Sequence, residues 1–173
     1  MPAVSAWIGL GSNLDDPLAQ VRRALDAIAV HPAMDLDAVS SLYRSPPMGP
    51  QDQPEYINAV ARVSTSLAPR ELLAALQGQE DAQRRRRGRR WGARTLDLDV
   101  LLYADRRIRD ATLTVPHPGI QERSFVLYPL AELAPDLEIP GAGRVNDLVA
   151  ACPAAGLRRL RDDGTGVAVV DER

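Results

Sequence analysis

The chain contains no lysine, and each of its 21 basic residues is an arginine. A Walker A loop, which needs a lysine on the phosphates, is therefore excluded, as is Schiff-base chemistry on a lysine amine. Cysteine is almost as scarce. Cys152 stands alone, so neither an internal disulfide nor a cluster of thiolate ligands can form. Aromatic residues make up 4% of the chain and include a single phenylalanine, Phe125. No apolar run approaches membrane-spanning length, and the N-terminus lacks a charged segment followed by a long apolar stretch. The expected compartment is the cytoplasm.

What is present is ordinary for a globular protein: 173 residues, 45% of them hydrophobic and 25% charged. That is enough for one domain with its own core. It is expected over residues 1–160, followed by a loose glycine- and acid-rich tail over 161–173. The charge is unevenly spread. Net charge is −2, yet residues 84–94 hold seven arginines and no acid, which leaves 14 arginines against 23 acids elsewhere. One concentrated basic segment in an acidic protein suits a single anionic ligand better than a general polyanion surface.

That segment leads into RTLDLDVLLY (94–103), where Leu96, Leu98 and Val100 alternate with Thr95, Asp97 and Asp99. Alternation predicts a strand with both carboxylates on one face, roughly 6.6 Å apart at about 3.3 Å rise per residue. Such a pair can grip a hard cation, and Mg²⁺ is usually held by one or two carboxylates with phosphates and waters completing its shell. Arginines alongside match phosphate oxygens bidentately. The bland alternatives are a solvated sheet face for the acids and a solvated or nucleic-acid-facing surface for the arginines.

Along the chain, Val4 to Leu10 reads as a strand that Gly11-Ser12-Asn13 ends in a turn. A phosphate-binding role for that turn is the weaker alternative. Asn13 or Asp15 is expected to cap a helix with Pro17 in its first turn, running to about Val30 before Pro32. Leu36 to Tyr43 reads as a second strand. A proline-rich loop follows from Arg44 to Pro54, and Tyr56 to Val63 pairs back as a third strand. Pro69 opens a second helix through Leu72, Leu76 and Glu80, and the strand with the two aspartates comes next. The order βαββαβ predicts a ferredoxin-like α+β fold, an antiparallel sheet with helices on one face. Short helices are expected at Phe125 to Leu133 and at Asp147 to Ala150.

Four stretches, GLGSN (9–13), YRSPPMGPQDQPEYINAV (43–60), RWGARTLDLDVLLY (90–103) and TVPHPGIQERSFVLYPLAE (114–132), together resemble the 6-hydroxymethyl-7,8-dihydropterin pyrophosphokinases of the folate pathway. The resemblance covers about residues 4–150. It implies transfer of the terminal two phosphates of ATP, as a unit, to the hydroxymethyl group of a reduced pterin. It assigns Asp97 and Asp99 to two Mg²⁺ ions, with Asp97 also implied as a catalytic residue that assists deprotonation of the attacking hydroxyl. Arg85 and Arg94 are implied to stabilise charge on the moving phosphates. The implied ATP contacts are Gln77, Glu80, Arg87, Trp91, Arg94, Val100, Thr114, His117 and Arg123. For the pterin, Trp91 and Phe125 match a stacking pair, Asn58 an amide that reads the ring, and Ser45, Pro46, Met48 and Tyr56 the remaining wall.

The implied partners are small molecules, with no nucleic acid, no membrane and a monomeric state. The chain departs from the family pattern at Ala93, at Arg84-Arg85 and at Pro118. The loop from Arg44 to Pro54 and the arginine segment are read as lids that close over bound substrates. Two rival readings remain at this stage. A Mg²⁺-dependent nucleotidyltransferase joins a Gly-Ser turn to an Asp-x-Asp strand at short range, whereas Ser12 and Asp97 lie 85 positions apart. An RNA-binding module of the same topology would place aromatics on its central strands, where only Tyr56 and Tyr103 are offered, near strand ends.

Overall fold

The computed structural model describes residues 2–47, 54–84, 96–160 and 166–168. Its first half runs β1 (Val4–Ser12), α1 (Pro17–Ala29), β2 (Met34–Val39), β3 (Tyr43–Ser45), β4 (Tyr56–Thr65), α2 (Pro69–Arg84) and β5 (Asp97–Tyr103). There follow β6 (Ile108–Arg109), β7 (Thr114–Val115), a 3-10 turn (Ile120–Glu122), α3 (Ser124–Leu133), β8 (Glu138–Ile139), β9 (Gly143–Arg144), α4 (Val145–Ala150), β10 (Arg158–Leu160) and β11 (Gly166–Ala168). Among these residues no helix is long and apolar enough to cross a membrane.

The main sheet has the order β11-β10-β3-β4-β1-β5, and β2 pairs with β4 beside β3. Neighbouring strands are antiparallel throughout. With β2 and β3 counted as one interrupted strand, this is the expected βαββαβ core. β1 lies between β4 and β5 and is buried continuously from Ala6 to Ser12, as a strand covered on both faces must be.

Alternation along β1 sends Ile8 and Leu10 to one face and Trp7, Gly9 and Gly11 to the other. The first face packs on Val21, Ala24 and Ile28 of α1 and on Leu72 and Leu76 of α2. Those two helices lie on one face, as the topology predicts. The opposite face presents Trp7, Val60 and Leu101, which the βαββαβ unit alone would leave in water. The C-terminal extension covers them with Val126, Leu127 and Leu130 of α3 and Val145 and Val149 of α4. Leu127 and Leu130 are fully buried, each contributing about 1.5–3 kcal/mol.

Four local details differ from the sequence reading. β1 continues through Gly11 and Ser12, because both pair with β4, at Asn58 and Ile57. The cap of α1 is Asp16, whose Oδ1 accepts from Ala19 N at 3.4 Å with Pro17 in the first turn. The single strand expected from Leu36 to Tyr43 is broken at Ser40. The Ser40 hydroxyl accepts from Val60 N at 2.9 Å and donates to Ser41 O at 2.7 Å. A side chain thus takes the place of a ladder carbonyl and turns the chain between β2 and β3. Finally, three residues of the segment read as a loose tail, Gly166–Ala168, form β11 against β10.

Replacing Ser40 by alanine leaves the buried Val60 N–H without its acceptor. Ser40→Ala is therefore expected to cost about 1–3 kcal/mol, read as a fall in Tm of roughly 2–4 °C per kcal/mol for a chain of this size. An unchanged Tm in scanning calorimetry would show that the sheet closes the break without this hydroxyl.

Candidate active site

The extension covers only part of the second sheet face. Beyond Val60 and Leu101 the face is left open where β1 has no side chains. In register, Gly9 lies between Val60 and Asp99, and Gly11 between Asn58 and Asp97. A Cβ on Gly11 would come within 3.2 Å of Asn58 Nδ2, and one on Gly9 within 3.2 Å of Leu101 Cδ2. The two glycines are the floor of a cleft of about 170 Å³. A water needs roughly 10–15 Å³ of such space, so the cleft has room for a small molecule and not merely an ion.

The walls come from separate elements. Ser45 and Pro46, with Tyr56, form one side, Asn58 and the glycines the base, Asp97 and Asp99 the far rim, and Arg123, Phe125 and Val126 the helix side. Ser45 Oγ donates to Asn58 Oδ1 at 2.6 Å, and both residues are buried. That bond takes the amide's acceptor and leaves Nδ2, a donor, towards the cleft floor. Phe125 serves two purposes: it packs against the second core and lines the cleft. The Arg123 guanidinium lies over its ring, 5.7 Å from the centroid, a cation–π arrangement.

Asp97 and Asp99 share one face of β5, half-buried, while Leu98 and Val100 enter the first core. The strand alternation predicted this. Between the two acids, the backbone N–H of Leu98 donates to Glu80 Oε2 at 2.7 Å. Glu80 is only 9% exposed. A charge-assisted bond from α2 therefore holds the segment that presents both carboxylates. Among the described residues no three His, Cys, Asp or Glu side chains gather as a metal cage. Two carboxylates with no third protein ligand suit a hard divalent cation that draws its other oxygens from phosphate and water.

A second cavity, of about 280 Å³, lies on the other side of Asp99. Leu73, Val100, Thr114, His117 and Pro118 line it, with Asp110 and Thr112 at its rim. His117 is tied to β5 by its N–H on Leu101 O at 3.0 Å. Its Nδ1 accepts from Gly119 N at 3.2 Å, which puts the proton of a neutral ring on Nε2. Burial lowers the imidazole pKa against the opposing pull of Asp99, so neutrality is favoured. Nε2 stands 3.9 Å from Asp99 Oδ2, too far for a hydrogen bond but aimed at whatever sits beside that carboxylate. At the rim, Asp110 accepts from the backbone N–H of Thr112 and Leu113, both at 2.9 Å, and from Arg70 at 3.0 Å. These donors, Thr112 first, hold its carboxyl well below the usual range.

Of the residues singled out from sequence, Ser45, Pro46, Tyr56, Asn58, Asp97, Asp99, Arg123 and Phe125 meet at the first cavity, and Val100, Thr114 and His117 join Asp99 at the second. Arg123, expected among ATP contacts, faces the first cavity. Glu80 lines neither and instead backs the Asp97–Asp99 strand, while Gln77 is exposed one turn beyond Leu73. Met48, Arg85, Arg87, Trp91 and Arg94 lie outside the described residues, as does most of each segment read as a lid. Gly9 and Gly11 were missed as a site element. Their signal was present: two glycines two apart in a strand lie on one face, and glycine inside a strand marks close approach of a ligand or another chain.

Glu80→Ala is expected to cost about 1.5–3 kcal/mol, the range for a hydrogen bond to a charged group. Amide exchange at Leu98 should accelerate with it. Retained protection of Leu98 would mean that Glu80 does not hold the strand.

Comparison with known proteins covers the same stretch of chain. Residues 7–135 match the family described as 7,8-dihydro-6-hydroxymethylpterin-pyrophosphokinase. A 2-amino-4-hydroxy-6-hydroxymethyldihydropteridine pyrophosphokinase of Pseudomonas aeruginosa is 51% identical over 154 residues, 89% of this chain and 95% of that protein. One from Haemophilus influenzae is 49% identical over 146 residues, 84% of this chain and 91% of that protein. Among solved structures, a Plasmodium falciparum HPPK-DHPS chain with pteroate superposes with a TM-score of 0.72 at 12% identity. The likeness covers 95% of this chain but 47% of that longer one, and at such low identity it concerns the fold alone. The chain thus belongs to the 7,8-dihydro-6-hydroxymethylpterin pyrophosphokinase family, enzymes that transfer pyrophosphate from ATP to hydroxymethyldihydropterin in folate biosynthesis.

Proposed function

We propose that the glycine-floored cleft takes the pterin ring, that the cavity along Val100 takes the nucleotide, and that Asp97 and Asp99 hold Mg²⁺ between them. The observation that carries this reading is that Asp99 lines both cavities. A polyphosphate lying in the second and a hydroxymethyl group projecting from the first would meet at that carboxylate. The two-carboxylate donor set fits Mg²⁺, which when bound would supply charge neutralisation for the phosphates.

The remaining roles belong to the chain's own atoms. Asn58, its Oδ1 already taken by Ser45, offers Nδ2 as a donor to a ring acceptor, so a ring lacking that acceptor leaves a buried donor unpaired. Phe125 supplies one stacking face. The hydroxyl gives up its proton as its oxygen bonds to the β-phosphorus of ATP. The bond from that phosphorus to the oxygen bridging to the α-phosphate breaks, so that AMP leaves. Asp97, which lines the cleft, is the carboxylate assigned to take the proton. His117 presents Nε2–H to an anionic oxygen next to Asp99 without adding a charge of its own. Trp91, Arg85, Arg87 and Arg94 keep the stacking and phosphate-clamping roles that their match to the family motifs implies. A monomer in the cytoplasm, with one catalytic domain over residues 1–160, completes the reading.

With ATP, Mg²⁺ and 6-hydroxymethyl-7,8-dihydropterin, the expected products are AMP and the pterin diphosphate, with no free pyrophosphate. Asp97→Asn should lower kcat by about 10²–10³-fold, the scale for losing one fixed electrostatic group, and leave Tm unchanged. Release of pyrophosphate with a nucleotidylated product would contradict the reaction, and an Asp97→Asn enzyme of normal kcat would contradict the site. Gly11→Ala, which brings a methyl onto Asn58, is expected to raise the pterin KM at least about tenfold while the ATP KM stays put. Equal effects on both substrates would contradict the assignment of the two cavities.

A further inference from the structure

We infer that Glu132 is a positioning residue for the pterin cleft: it fixes the gap between α3, which carries Phe125, and β3, which carries Ser45. The inference rests on the reading of that cleft as the pterin site. Phe125 and Glu132 are seven residues apart on α3, so two helical turns return them to the same side. Tyr43 and Ser45 are two apart on β3 and share a strand face. At one end of this helix–strand pair, Phe125 and Ser45 both line the cleft. At the other end, Glu132 joins the two elements.

The join is made by three hydrogen bonds to one carboxylate. Glu132 Oε1 accepts from the Tyr43 hydroxyl at 2.5 Å, and Oε2 accepts from both the Ser41 N–H and the Ser41 hydroxyl at 2.9 Å. The strand break at Ser40 makes this possible, since in an unbroken strand the Ser41 N–H would belong to the ladder. Tyr43 is buried, and burial together with the carboxylate at its hydroxyl pushes its pKa far above the ordinary tyrosine value. It stays protonated and donates at any physiological pH.

Backbone pairing to β4 on one edge and β10 on the other fixes β3 within the sheet. Neither pairing sets how high α3 stands above it. Apolar packing of α3 is non-directional, whereas the carboxylate bonds define a distance. A ring stacked on Phe125 and read by the Ser45–Asn58 pair needs that height held closely, because misplacement of a binding wall of order 1 Å is costly.

The test uses Tyr43→Phe, Glu132→Gln and the double variant of the full chain, with KM for each substrate, kcat and Tm. Each single variant is expected to raise the pterin KM roughly three- to tenfold, the scale of a lost hydrogen bond, with ATP KM and kcat unchanged. The double variant should be no worse than the worse single one, because both act through one join. An unchanged pterin KM, or equal losses on both substrates that track Tm, would reduce Glu132 to a stabilising contact and overturn the inference. So would additive effects in the double variant. Phe125→Ala separates the two levels: if it weakens pterin and Glu132→Gln does not, the join fails alone. If Phe125→Ala has no effect, the cleft assignment fails and the join with it.

Discussion

The lack of side chains at Gly9 and Gly11 governs where everything else in the site can stand. A central strand covered on both faces is normally packed along its whole length. Here one face is filled by α1 and α2, while the other is filled only as far as Trp7, Val60 and Leu101. Past that point the glycines lower the sheet surface and put Asn58 on one flank and the two aspartates on the other. Any larger residue at Gly11 would press on the Asn58 amide. Under the proposed assignment, ring recognition and metal binding would thus become neighbours because of two missing Cβ atoms.

Around this depression the polar groups are held by partners behind them. Ser45 orients Asn58, Glu80 holds the peptide between Asp97 and Asp99, and Gly119 sets the tautomer of His117. Each of these partners belongs to a different element from the group it fixes or to the turn beyond it. Pyrophosphoryl transfer asks little covalent chemistry of a protein and much positioning. Geometry held by buried hydrogen bonds supplies the latter without reorganisation at the moment of reaction.

How much of this was legible in the sequence follows from the range of the forces involved. The βαββαβ order was readable because period-two and helical apolar patterns are local and strong, and the shared face of Asp97 and Asp99 needed nothing beyond strand alternation. That Phe125, Asn58 and Ser45 line one cavity agrees with their grouping by motif resemblance. Less was visible where a side chain replaces a backbone group. Ser40 breaks a strand by accepting from Val60 N, which lies on β4 and is distant in sequence. The resemblance assigns Glu80 to ATP and is silent on the bond its carboxylate accepts from Leu98 N, a pairing that depends on how α2 lies across β5. The second helical layer was missed for a similar reason. Nothing in residues 124–150 taken alone says which sheet face they cover.

Whether Asp99 is the point where the two cavities work together can be seen in a crystal of the enzyme with Mn²⁺, a non-hydrolysable ATP analogue and the pterin. Anomalous scattering would locate the metal. Manganese bound by the Asp97 and Asp99 carboxylates, with phosphate on the Val100 side and the ring over Gly9 and Gly11, is the expected result. Metal held by the nucleotide away from both aspartates, or a ring bound off the glycine floor, would contradict it.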